Sequence, residues 1–217
     1  KQNLNGIKKI SKERILVELY KILDLKNFIH LNESTDLKEI FINIFPEFEN
    51  LERLDRLKKI CDYKNMTRSL LLAVLLLDDK DTHEYFGHKY NISNNLRDHL
   101  NSFAKSLKLA RDSKDFFDKD LEKNIYLYEK KHLINLNILT FAIDTKIKFK
   151  DFSETLKKIL KSKTHKFTID GKYLIKNGMQ QGSLMGKVLK EIEEEWINNN
   201  FKITNKRIKE VIRLRSN

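Results

Sequence analysis

The stretch FTIDGKYLIKNGMQQGSLMGKVLKEIEEEW, Phe167 to Trp196, decides how this chain is read. It holds four of the six glycines, Gly171, Gly178, Gly182 and Gly186. Leu174, Ile175, Met185, Val188, Leu189 and Ile192 fall between and after them. Gly178 stands where a short helix over roughly 172–177 needs a left-handed residue just past its end. Ser183 is placed to cap a helix running from about Leu184, its hydroxyl accepting from an amide two or three residues on. The unit reads as helix, tight glycine turn, longer helix. Gly182 and Gly186 are i,i+4 neighbours and leave a bare strip for close backbone approach. Such a turn has two uses. Amides at a helix start with Lys172, Lys176 and Lys187 nearby suit a phosphate, and a bare strip equally suits helix–helix packing.

Working outward, the 217 residues include one proline and six glycines, and 40 % are apolar, a helix-rich composition with few turn breakers. The net charge is +12, from 43 basic and 31 acidic residues. That surplus favours a polyanionic partner, although heavy use of Lys, Asn and Ile also follows from an AT-rich genome. The single cysteine, Cys61, has no partner for an internal disulfide and fits a reducing, cytoplasmic setting as an inert thiol. The run Leu70 to Leu77 falls far short of the ~18–20 apolar residues of a membrane span and reads as a buried core helix. The first twenty residues carry no signal-peptide pattern, and the start at Lys1 is read as that of a fragment.

Ser11 opens a helix with Ile15, Leu16, Leu19, Ile22 and Leu23 on one stripe. A second helix, 36–44, is expected to bury Leu37, Ile40, Phe41 and Ile44 before Pro46 stops it. Leu51, Leu54, Leu57 and Ile60 repeat every three residues. Thr67 caps the apolar run. Ser93 or Asn94 starts a helix that turns Leu96, Leu100, Phe103 and Leu107 inward. Helical patterning continues from Asp115 to about Ile147 with a break near Glu129 to Lys131, and Ser153 opens a basic helix ending near Lys161. Period-two alternation is never sustained. The expected fold is all-α, an array of about eight to ten helices.

The pattern F-x-I-x-G-x-x-L-I-x-x-G-M-x-x-G-x-x-M-G-x-x-L-x-x-I-x-x-x-W-I, Phe167 to Ile197, resembles the C-terminal signature of bacterial class II tRNA nucleotidyltransferases. These are the CCA-adding enzymes and their relatives the bacterial poly(A) polymerases. The family's usual form has Asp before the first Leu and Pro on either side of the middle Gly, where this chain has Tyr173, Gln181 and Ser183. Other patches resemble the family in the same order. Ile10 to Leu23 is similar to the close of its neck, Leu51 to Leu57 and Thr67 to Leu76 to its body, Asn91 to Leu100 to a further body segment, and Trp196 to Phe201 to its last helices.

The resemblance implies an end of the neck at 1–30, a body at 31–150 and a tail at 151–217 carrying the glycine-rich helix-turn-helix. The catalytic α/β head would lie elsewhere, because its G-G-x-V-R-D, D-x-D and E-D-x-x-R elements are absent here. No catalytic or metal-binding residue is therefore expected, and Mg²⁺, CTP and ATP would belong to the head. Asp118 and Asp120 read as a solvated helix start. His83 and His88 are five apart rather than the four that would put them on one helix face.

Arg14 and Glu18 would support the nucleotide pocket from the neck, or form a plain i,i+4 pair. Lys157, Lys158, Lys161, Lys163 and Lys166, with Lys172, Gly182, Ser183, Gly186, Lys187, Arg207 and Arg213, would face the acceptor and TΨC arm of a tRNA. An A-form stem of that kind is read by shape and backbone. A poly(A) polymerase region and a non-enzymatic helical nucleic-acid-binding module are the alternatives left open.

Overall fold

The computed structural model describes residues 10–25, 27–60 and 66–216, so Cys61 lies outside the described residues. Ser11 caps α1 (Lys12–Leu23) by accepting from the Arg14 amide. A 3₁₀ helix, Phe28–Glu33, follows. Then come α2 (Thr35–Ile44), α3 (Arg53–Leu57), α4 (Arg68–Leu76), α5 (Thr82–Lys89), α6 (Asn94–Asp112), α7 (Leu121–Tyr128), α8 (Lys130–Ile143) and α9 (Phe149–Lys161). The last three helices are α10 (Gly171–Lys176), α11 (Leu184–Asn198) and α12 (Asn205–Ser216). The fold is all-α. The described residues hold more helices than the expected eight to ten because short ones such as α3 and α5 carry little periodic signal.

Buried hydrophobics form two clusters. The first runs from Leu16 to Ile159 and is organised around α4 and α8. Every residue from Leu70 to Leu77 is buried, as an all-round apolar helix must be. Against these helices pack α1, α3, α6, α7 and α9. The second cluster joins Leu174 and Met179 to Val188, Ile192, Ile208, Val211 and Ile212. The positions 30/31 and 150/151 both fall inside helices. Phe28 and Ile29 share the first core with Leu16, and α9 buries Phe152 and Ile159 there. No helix of the described residues is long and apolar enough to cross a membrane.

The three-residue repeat of Leu51, Leu54, Leu57 and Ile60 has a direct cause. Amides of Leu54, Asp55, Lys59 and Ile60 bond three residues back, a 3₁₀ pitch that stacks every third side chain. All four apolar residues are buried. Between them, two arginines serve as clamps. Arg53 donates to the carbonyls of Val74 and Leu77 at the end of α4. Arg56 donates to those of Phe141 in the last turn of α8 and of Asp144 and Ile147 beyond it, and lies 4.2 Å from the centroid of the Phe141 ring. Both meet orphan carbonyls at a helix C-terminus with positive charge.

Several expectations are corrected. Leu37 and Ile40 are about half exposed, at 55 % and 53 %. The helix α2 packs chiefly on the 3₁₀ helix, so its apolar stripe is longer than the surface it covers, and burial begins at Phe41. Asp115 to Asp120 is turn rather than helix. The buried Asn124 amide donates to the Phe116 carbonyl, and the Asp120 amide bonds to Asp115, closing the turn instead. Ser153 lies inside α9, which starts a turn earlier where the Asp151 carboxylate accepts from the Lys148 amide. The break near Glu129 is real: that residue has φ 67° and ψ 149°, a region otherwise left to glycine.

Candidate nucleic-acid interface

Asp170 opens the glycine unit by accepting from the Tyr173 amide at 2.8 Å. The helix α10 then closes in a Schellman motif. The Met179 amide bonds to Leu174 and the Gly178 amide to Ile175, with Gly178 at φ 96° as its position requires. Leu174 and Met179 are both buried, supplying the apolar contact that accompanies this motif.

Past the turn the expectation fails in one place. Ser183 has helical dihedrals, φ −62° and ψ −22°, and its hydroxyl makes no cap bond, because a capping side chain needs an extended backbone. The turn lines a cavity of about 300 Å³ together with Leu184 and Arg215. Among the described residues, nothing beyond the adjoining chain lies within 4 Å of where a Cβ on Gly182 or Gly186 would stand. The bare strip is therefore open to solvent, and helix–helix packing within the described residues does not account for it. Lys172 and Lys187 are exposed beside this unit.

The lysines around α9 form a second positive surface. Lys157, Lys158, Lys161, Lys163 and Lys166 are all exposed. Lys158 reaches the Asp118 carboxylate at 2.7 Å and holds that acid below its usual range. The other four have no ion-pair partner among the described residues. From Lys163 to Asp170 the chain is in neither helix nor strand. His165, Phe167 and Ile169 are half-buried, while Lys166, Thr168 and Asp170 point outward, an alternation of period two without a sheet.

Arg207 is spoken for: its Nε donates to both oxygens of Glu195, at 2.8 and 3.0 Å, and Glu210 lies 3.6 Å away. The Glu195 hydrogen bond raises its pKa further. Arg215 is tied to Glu191, its Nε donating to one carboxylate oxygen and its Nη2 to the other. Arg213 is exposed, with no ion pair among the described residues. Arg14 and Glu18 are exposed on α1, and Glu18 pairs with Lys21 at 2.8 Å. The expected Arg14–Glu18 pair gives way to this i,i+3 neighbour. His83 is buried and His88 exposed.

An aromatic joint links the two cores. Tyr126 on α7 meets Trp196 and Phe201 edge-on, and its hydroxyl donates to Glu193. Burial, with that carboxylate, pushes the phenol up to about 12. His165 stacks on Phe201 with centroids 3.7 Å apart and bonds Glu122 at 2.7 Å. Sequence reasoning passed over this joint; its signal was Trp196, Phe201 and Phe167 recurring around one stretch. Neither a scan against family models nor a search of the curated proteins finds a match for the chain.

Proposed function

We propose that this chain holds a tRNA by its acceptor and TΨC arm, as the C-terminal region of a CCA-adding nucleotidyltransferase whose head performs the chemistry with Mg²⁺, CTP and ATP. The observation that carries the reading is the exposed lysines Lys157, Lys161, Lys163 and Lys166, which have no ion pair among the described residues. Lys157 and Lys161 stack one turn apart on α9, about 6 Å along its axis. Lys163 and Lys166 are exposed on the segment that follows α9. A net charge of +12 adds long-range attraction for a polyanion. The open glycine strip and Lys187 offer backbone-close access on the following unit, suited to a duplex recognised through phosphates and ribose hydroxyls.

The test replaces Lys157, Lys161 and Lys163 by Glu and leaves Lys158 in place, since Lys158→Glu would set a second carboxylate against Asp118. Affinity for an acceptor–TΨC minihelix should fall by at least about tenfold at low salt, with the melting temperature unchanged because all three side chains are exposed. A single strand of equal length should lose less. An unmodified chain that shows no preference for the minihelix would overturn the reading.

A further inference from the structure

Beside the aromatic joint lies a cavity of about 370 Å³, lined by Phe167, Thr168, Tyr173, Trp196, Phe201 and Lys202 among others. We propose that it binds one unpaired nucleobase of an RNA, stacked on its aromatic wall with the adjoining phosphate toward Lys202. The proposal rests on the RNA-holding reading and names a subsite within it.

The volume falls in the range of small-ligand pockets. Its wall is pre-organised. Trp196 is braced by Tyr126, Phe167 and Phe201 at centroid distances of 5.3, 5.3 and 4.9 Å. One face of Phe201 is covered by His165, at an interplanar angle of 9°. Phe201 also holds φ 60°, directly after Asn200 at φ 54°. A left-handed backbone at a bulky side chain is uncommon, and this residue lines the cavity.

Polar groups line the same cavity. Thr168 and Lys202 are exposed there, and the Tyr173 hydroxyl donates to Asn205. Charge selects the ligand. An aromatic cage for a cation would need no ammonium beside it, whereas this one has Lys202, with Lys166 adjoining Phe167 in sequence. The nearby acids Glu122 and Glu193 are engaged by His165 and Tyr126. A flat, uncharged ring carrying a phosphate matches both features.

Trp196 is the chain's one tryptophan, so its emission reports on this cavity. The probes are a tetra-adenylate ribonucleotide and a tetramer of the same backbone without bases, titrated against the full chain. The base-bearing tetramer should quench Trp196 saturably and bind at least about tenfold more tightly than the abasic one. Lys202→Glu should weaken it severalfold while leaving the far-ultraviolet spectrum unchanged. Equal affinity for the two tetramers, or binding seen by anisotropy without quenching, would overturn the proposal. If the minihelix still binds through Lys157, Lys161 and Lys163 in that case, the tRNA reading survives without this subsite. Base-dependent quenching without minihelix preference would instead keep the subsite and remove the tRNA.

Discussion

The interior of the first core and the surface from α9 onward use charge in opposite ways. In the first, Arg53 and Arg56 are half-buried and their guanidinium groups close the ends of α4 and α8. Glu47 and Lys89 form a largely buried pair beside Tyr90. Burial alone would pull the Lys89 ammonium down, but the Glu47 carboxylate outweighs it and the pKa rises. On the second, Lys157 and Lys161 on the outer face of α9, Lys163 after it and Lys187 on α11 stand in solvent. A basic residue held inside the first core, such as Arg53, Arg56 or Lys89, is structural. On the surface from α9 onward it is mostly available. Sequence-wide charge therefore overstates the free cationic surface, and position in the fold decides which lysines and arginines stand in solvent.

The largest effect should come from cutting a clamp. Arg56→Ala strands the carbonyls of Phe141, Asp144 and Ile147 and should cost about 3 kcal/mol, read as a lower denaturation midpoint. Hydrogen exchange should rise in α8 before α11. If the second core opened first, the two cores would not be separable. Lys89→Met should cost a similar amount, about 3 kcal/mol, by leaving the Glu47 carboxylate buried without its partner.

Gly178→Val tests the other side. A β-branched residue at φ 96° should destabilise the second core by over ~1 kcal/mol and leave exchange in α4 unchanged. An unaltered melting curve would mean the turn tolerates any residue. A smaller, opposite change is expected at Glu129, where Glu129→Gly relieves a strained, exposed backbone and should stabilise by up to about 1 kcal/mol.

Acid should act on the first core. His132 stacks on Phe103 at 4.9 Å and shares a hydrogen bond with Ser106. Burial, reinforced by His99, lowers its pKa below 6.5 despite the opposing pull of Glu129. The unfolded chain therefore takes up the proton first as pH falls. The contribution of neutral His132 is fully present above about 6.5 and is lost as pH drops toward the lower folded value. His132→Phe should flatten the stability profile in that window, and an unchanged slope would place the titration elsewhere.

Local signals were the legible part of the sequence. The caps at Ser11, Thr67 and Ser93 each make the expected bond, and Gly178 takes the expected conformation, because these features depend on a few adjacent residues. The buried run at Leu70 was equally clear from composition. What failed depended on distant partners. Leu37 and Ile40 carry the right period, but no layer of the described residues covers them. The link from Arg56 to the Phe141 carbonyl spans 85 residues and leaves no periodic trace. Ser183 looked like a cap because the residue type was right, while its backbone had already entered the helix. In the candidate interface, exposure of the Lys157–Lys166 stretch could be anticipated from its composition. The pairing of Lys158 with Asp118 and of Arg207 with Glu195 could not.

The most direct test of the division between structural and available charge is the salt dependence of minihelix binding. For about five neutralised phosphates the unmodified chain should give a log–log slope of roughly −4 to −5. Replacing Lys157, Lys161 and Lys163 by Glu should make that slope shallower by about 2 to 3, at unchanged melting temperature. A slope in the triple variant equal to that of the unmodified chain would contradict the account, because the available charge would then lie somewhere other than on α9 and the segment that follows it.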